Sequence, residues 1–147
     1  MKYGYVILIG LLMWGVSCSN TKQEKQNEEM QNVDLVISEM VNAKQNVETV
    51  CLACHHPSAS PDDRIAPPLE IAKRNYLAST NSEEEFVEKM VQFILNPNAE
   101  QSLMHSDVEQ YGLMDPVGFS KQDVQEIAEY IYNTDLEKPA WLNEVSR

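Results

Sequence analysis

Positive charge is scarce in this chain. Lys and Arg number 11 against 23 Asp and Glu, a formal net charge of −12. That balance argues against nucleic acid as a partner and for docking against a basic protein face, although solubility alone would also account for it. Strand signals are absent too: no stretch alternates apolar and polar residues, and no segment repeats. The expected fold class is therefore all-α. No nucleophile beside a base and no phosphate-cradling glycine loop stands out, which disfavours a hydrolase or a transferase. With 147 residues there is room for one modest domain. Cysteine is sparse at three residues, too few and too odd in number for a disulfide framework.

Long apolar runs are missing except for one near the start. Val6 to Trp14 is apolar but short for a membrane span, and Lys2 precedes it. Residues 1–17 read as an export signal. The run ends at Gly15-Val16-Ser17-Cys18, which resembles the lipobox of bacterial lipoproteins with Gly15 where leucine is usual. Cys18 would then be the lipidated first residue of a protein anchored to a membrane on the periplasmic side. A plain signal peptide and an uncleaved anchor helix are the alternatives. From Ser19 to Asn32 the chain is Gln, Glu, Asn and Lys with little that is apolar. It cannot bury a core, so residues 18–32 are expected to form a flexible tether. A domain over 33–137 and a tail over 138–147 complete the division.

The densest chemical signal is Cys51-Leu52-Ala53-Cys54-His55. Two cysteines three apart followed directly by histidine form the pattern for covalent haem c attachment. Residues i, i+3 and i+4 share one face of a helical turn. Cys51 and Cys54 can then add to the two vinyl groups of one porphyrin, with His55 beneath the ring as iron ligand. A thiol redox pair is a rival reading, but it expects a βαβ context that does not follow. Structural zinc needs four ligands, and beyond this cluster the chain offers only Cys18 and His105 as further Cys or His donors of note. His56 reads as a surface residue. Lipidation of Cys18 and thioethers at Cys51 and Cys54 would account for every cysteine, so no disulfide is expected.

Around the motif the periodicity is helical. Val33, Val36, Ile37, Met40, Val47 and Val50 recur at threes and fours and predict a helix with one apolar face running into Cys51. Ser82-Glu83-Glu84-Glu85 reads as a capping box opening a helix with Phe86, Val87, Met90, Val91 and Ile94 on one face. Asn96-Pro97-Asn98 stops it. Residues 97–119, carrying Met104, His105 and Met114, read as a long irregular loop of the kind that is usually functional or disordered. Ser120 caps a last helix with Val124, Ile127, Ala128 and Ile131 on one face. The tail from Leu136 has no period, and Trp141 is expected to cover an edge of the core.

This order of parts resembles a class I c-type cytochrome over about residues 40–135. The parts are an N-terminal helix, Cys-x-x-Cys-His, Pro67-Pro68-Leu69 beginning twelve residues after the histidine, a middle helix, a methionine loop and a last helix with Tyr130-Ile131. The ending and the acidic lipoprotein format are similar to membrane-tethered monohaem cytochromes of Bacteroidetes-like bacteria. The resemblance implies helices wrapped around one covalent haem c and a single-electron carrier rather than an enzyme. It also implies a quinol-oxidising complex as donor and a terminal oxidase as acceptor. It places the Pro67 carbonyl on the far nitrogen of His55, Leu69 against the haem, and Arg74 or Tyr76 at a propionate. For the sixth iron ligand it favours Met114, six residues before Ser120, with Met104 and His105 as alternatives. Two departures stand out: Ala43 and Val47 occupy places where the family has glycine and an aromatic, so the crossing near Tyr130 is expected to be wider. A peroxidase-like or gas-binding haem protein with an open distal site, or a haem-free thiol-disulfide protein, are the alternative functions.

Overall fold

Helix starts depend on side chains that can accept the first unpaired backbone N–H groups. Two such starts define the centre of this molecule. The computed structural model describes the backbone over residues 21–143 and side-chain surroundings from Asn32 to Leu142. The leader, Cys18 and residues 144–147 lie outside the described residues. Among the described residues every regular element is helical: α1 Thr21–Asn46, a π-helical turn Val47–Cys51, α2 Leu52–Cys54, α3 Leu69–Ser79, α4 Glu83–Leu95, α5 His105–Tyr111 and α6 Lys121–Asn133. Short 3-10 turns lie at Ala99–Gln101 and Ala140–Asn143.

At α6 the Ser120 hydroxyl accepts from the Asp123 N–H at 3.1 Å, and the Asp123 carboxylate accepts from the Ser120 N–H at 3.1 Å. This is a reciprocal capping box. Ser120→Ala should lower stability by about 1 kcal/mol, read as a drop in the urea midpoint at unchanged slope. At α4 the box is only half made. Ser82 accepts from the Glu85 N–H at 3.2 Å, but the Glu85 carboxylate turns to Asn81, taking its backbone N–H at 2.8 Å and its side-chain amide at 3.1 Å.

α4 and α6 pack face to face along the apolar stripes expected of them. Phe86, Met90 and Val91 meet Val124, Ile127, Ala128 and Ile131 in one buried cluster, joined by Leu69 and Tyr76 from α3 and by Val47. Phe86 is its centre, with no exposed surface. Its ring stands edge-on to Tyr76 at 5.8 Å and to Tyr132 at 5.2 Å between centroids. α3 is also tied to the end of α6. The largely buried Lys73 Nζ donates to the Thr134 carbonyl at 2.7 Å, and a cation at a helix C-terminus opposes the partial negative charge there.

Two compact units divide the chain, Met1–Asp34 and Leu35–Arg147. Of the first, the described part is helical from Thr21. The segment expected to be a flexible tether over 18–32 is helical from Thr21 onward. Gln, Glu and Lys are poor at burying surface but rank among the better helix formers, so low hydrophobicity did not mean absence of helix. Within the second unit, the apolar face expected on α1 is mostly exposed. Leu35, Val36, Ile37, Met40 and Val41 are all about half accessible, while Ala43 and Val47 are buried. The periodicity was helical, but only its last turn enters the core.

The long loop over 97–119 is also corrected. It holds the 3-10 turn and the two-turn helix α5. Asn98 caps the first, its side-chain oxygen accepting from the Glu100 N–H at 2.8 Å. α5 ends at Gly112, whose positive φ of 86° a residue with a Cβ would resist. Trp141 does not cover the core as expected. It is 40% exposed, with the Arg64 guanidinium 5.6 Å from its ring centre, and Pro139 is the tail residue fully buried.

Candidate functional site

The site begins where α1 changes pitch. Over Val47–Cys51 the helix widens, and the Leu52 N–H reaches the Val47 carbonyl five residues back. π-turns inside α-helices occur frequently at functional positions. A single α-turn, Leu52–Cys54, follows, and the His55 N–H bonds to the Cys51 carbonyl at 2.9 Å. Cys51 ends the π-turn, Cys54 ends α2 and His55 is its C-cap, at i, i+3 and i+4. Both thiols are free, Cys51 partly buried and Cys54 exposed. Burial pushes the Cys51 thiol up to about 11, with the neighbouring Cys54 a smaller cause in the same direction.

His55 is fixed from both its side chain and its backbone. Its Nδ1–H donates to the Pro67 carbonyl at 2.7 Å, and its own carbonyl accepts the Leu69 N–H at 3.1 Å. A carbonyl can only accept, so Nδ1 must carry the proton and Nε2 keeps its lone pair. The Pro67 contact is the one that the family resemblance implies. The local sequence explains why it forms. Pro67 and Pro68 have no N–H to pair, their φ angles are restricted, and each restricts the residue before it. The carbonyl of Pro67 is thereby presented on a stiff segment. Leu69 opens α3, and its otherwise unpaired N–H is met by His55.

Burial, the larger influence, lowers the His55 pKa below 6.5, against the hydrogen bond to Pro67, which raises it. A neutral imidazole near pH 7 is the form that binds a metal. The stability consequence has a definite sign. Between the folded and unfolded pKa values the unfolded chain binds more protons, so stability is present above about pH 6.5 and lost as the pH falls through the folded value. Urea midpoints should therefore fall from pH 7 toward pH 5, and His55→Asn should flatten that dependence.

Leu69 is buried in the core cluster. Arg74 is already engaged: its Nε donates to the buried Glu70 carboxylate at 2.8 Å. Tyr76 is 4% exposed against Phe86, with burial pushing its phenol up to about 12. His56 is exposed, as expected, its Nδ1 accepting from the Ser58 N–H at 3.1 Å. Of the three candidates in the distal segment, Met104 directly precedes α5 without a side-chain capping bond and packs partly buried against the core, His105 is the exposed first residue of α5, and Met114 is partly buried, in the chain between Gly112 and Ser120. The hydrogen bonds join the motif to Pro67 and Leu69, but they do not bring Met114 into that set.

Sequence reasoning missed Arg64. Its Nη2 donates to the Ala59 carbonyl at 3.2 Å, and its Nε is a buried donor with no acceptor. A single arginine in a turn-rich loop carries no spacing signal that could have marked it. Taken together, the donor set fits a covalently held porphyrin: two free thiols three residues apart, a tautomer-fixed imidazole directly after them, and an orphaned cationic donor suited to a carboxylate. Among the described residues no group of three or more His, Cys, Asp or Glu is placed to hold a metal ion. No family model, curated protein or solved structure matches this chain.

Proposed function

We propose that this chain is a monohaem c-type cytochrome that carries single electrons outside the cytoplasmic membrane on a lipid tether at Cys18. The observation that carries the reading is the His55 Nδ1–H to Pro67 carbonyl bond of 2.7 Å, on the residue directly after Cys51-x-x-Cys54. It leaves Nε2 as the free donor atom and makes the imidazole a stronger base. Cys51 and Cys54 would hold the porphyrin as thioethers and His55 would hold the iron. Arg64 is better placed chemically than Arg74 to meet a propionate, because Glu70 already neutralises Arg74. The haem, when bound, supplies an iron that changes oxidation state; the protein supplies binding, orientation and electrostatics. The acidic surface suits a basic docking face on the redox partners, a quinol-oxidising complex and a terminal oxidase.

The thiol-disulfide alternative fares poorly on the same residues. A thiol redox pair expects a βαβ context, and among the described residues every regular element is helical. The deciding experiment is a pyridine haemochrome spectrum beside the intact mass. A c-type spectrum and the mass of one added haem are expected; a mass without haem and a spectrum without bands would overturn the reading.

The sixth position is tested by two substitutions. Met114→Ala should keep the covalent haem, remove the sulfur-to-iron charge-transfer absorbance of the oxidised protein, open the iron to carbon monoxide and lower the potential. Met104→Ala should do none of these. The reverse pattern would move the assignment to Met104, and no effect from either would move it to His105. Carbon monoxide binding by the unaltered reduced protein would favour the gas-binding alternative.

A further inference from the structure

Beyond α6 the chain does not simply trail off. Thr134 receives Lys73 from α3, as described above. Ser58 Oγ donates to Glu137 Oε1 at 3.3 Å. Pro139 is fully buried, its carbonyl accepts the Leu142 N–H at 2.9 Å, and the resulting turn sets Trp141 against Arg64. The segment from Thr134 to Leu142 thus meets α3 once and the loop after His55 twice. Its loop contacts fall on the two sides of the turn closed by Arg64 and Ala59.

Arg64 is the fixed point of that loop. Its Nη2 donates to the Ala59 carbonyl, and its guanidinium carbon lies 5.6 Å from the centre of the Trp141 ring. Only Ile65 and Ala66 separate Arg64 from Pro67. Ala66 is restricted by the proline after it, and Pro67 is restricted both by its own ring and by Pro68. A displacement at Arg64 therefore has little slack to absorb it before it reaches the Pro67 carbonyl. On the other side of Pro67 and Pro68, the Leu69 N–H at the start of α3 donates to the His55 carbonyl at 3.1 Å.

We propose that Thr134–Leu142 is a positioning strap, and that Trp141, acting through Arg64, keeps the Pro67 carbonyl on His55 Nδ1. In this proposal Trp141 acts on His55 through Arg64 and the loop. Its effect on a bound haem rests on the function proposed above, while its effect on the loop does not.

The experiment uses the full chain as isolated, with Trp141→Ala and Trp141→Phe. Phenylalanine keeps an aromatic face for the guanidinium group. In Trp141→Ala the backbone amides of Asp63 and Leu69 should exchange with solvent about fivefold faster, and those of α4 and α6 should be unchanged. The potential should rise, because a weakened bond to Nδ1 makes His55 a less basic ligand and disfavours ferric iron. Trp141→Phe should stay near the parent in both readouts. Unchanged exchange at Asp63 and Leu69 in Trp141→Ala would overturn the strap. Faster exchange with an unchanged potential would overturn the positioning of His55. If the protein has no haem the function proposed above fails, and the exchange rates still decide the strap.

Discussion

Cys51→Ala or Cys54→Ala will lower the yield of covalently attached haem sharply, roughly tenfold or more, because each removes one of the two thioether positions. The two thiols are not equivalent. Cys51 is partly buried at the end of the π-turn, and its thiol is shifted up to about 11. Cys54 is exposed. Each single variant retains one position for a thioether and His55 for the iron, so residual haem in either should be singly attached. The measurement is the intact mass after acid-acetone extraction, which removes haem held only by iron coordination. Undiminished covalent haem in both variants would refute the attachment chemistry. The double variant should keep none, and its helical content should fall as well if the porphyrin is part of the core.

Phe86→Ala should be the most damaging single change in the core, at about 3–5 kcal/mol. Phe86 has no exposed surface and touches two aromatic rings edge-on, Tyr76 from α3 and Tyr132 from α6. Removing it leaves a cavity between three helices and takes away both ring contacts. Against a total stability of about 5–15 kcal/mol for a domain of this kind, the variant should melt roughly 10–20 °C lower, as read by circular dichroism at 222 nm. A shift of only a few degrees would mean that the helices close over the gap. Phe86→Leu, which keeps most of the apolar volume, should recover much of the loss.

How far the sequence could be read depended on whether a segment carried its own boundary. α4 and α6 were legible because Ser82 and Ser120 mark their starts and apolar residues recur over three turns. The His55 to Pro67 bond was legible through family resemblance, since nothing local predicts a contact across twelve residues. α5 was missed although Met104, Val108 and Tyr111 stand at i, i+4 and i+7. Seven residues give too short a window for that period to stand above chance, and no capping side chain announces it. The apolar residues of α1 showed the helix but not its environment. Periodicity reports which residues share a face, and only the packed structure reports that Leu35 to Val41 are exposed. The role of the tail was invisible because it depends on single pairs, Arg64 with Trp141 and Ser58 with Glu137.

The π-turn at Val47–Cys51 has a consequence for chain length rather than for chemistry. In α geometry, Ala43 and Val47 on the buried side would be continued by Val50 and Cys51, one turn on. The widened turn accommodates one more residue than an α-turn would, so it rotates everything after it about the helix axis by roughly 100°. The direction in which Cys51, Cys54 and His55 face is thus written as a residue count upstream of them. Deleting one residue between Val47 and Val50 would leave the motif's own spacing untouched and every side chain in it present. The helix could then close to regular α pitch, with the motif turned away from the loop that carries Pro67. An alignment that scored only Cys51-x-x-Cys54-His55 would count such a chain as intact, whereas its His55 would have lost the carbonyl it needs.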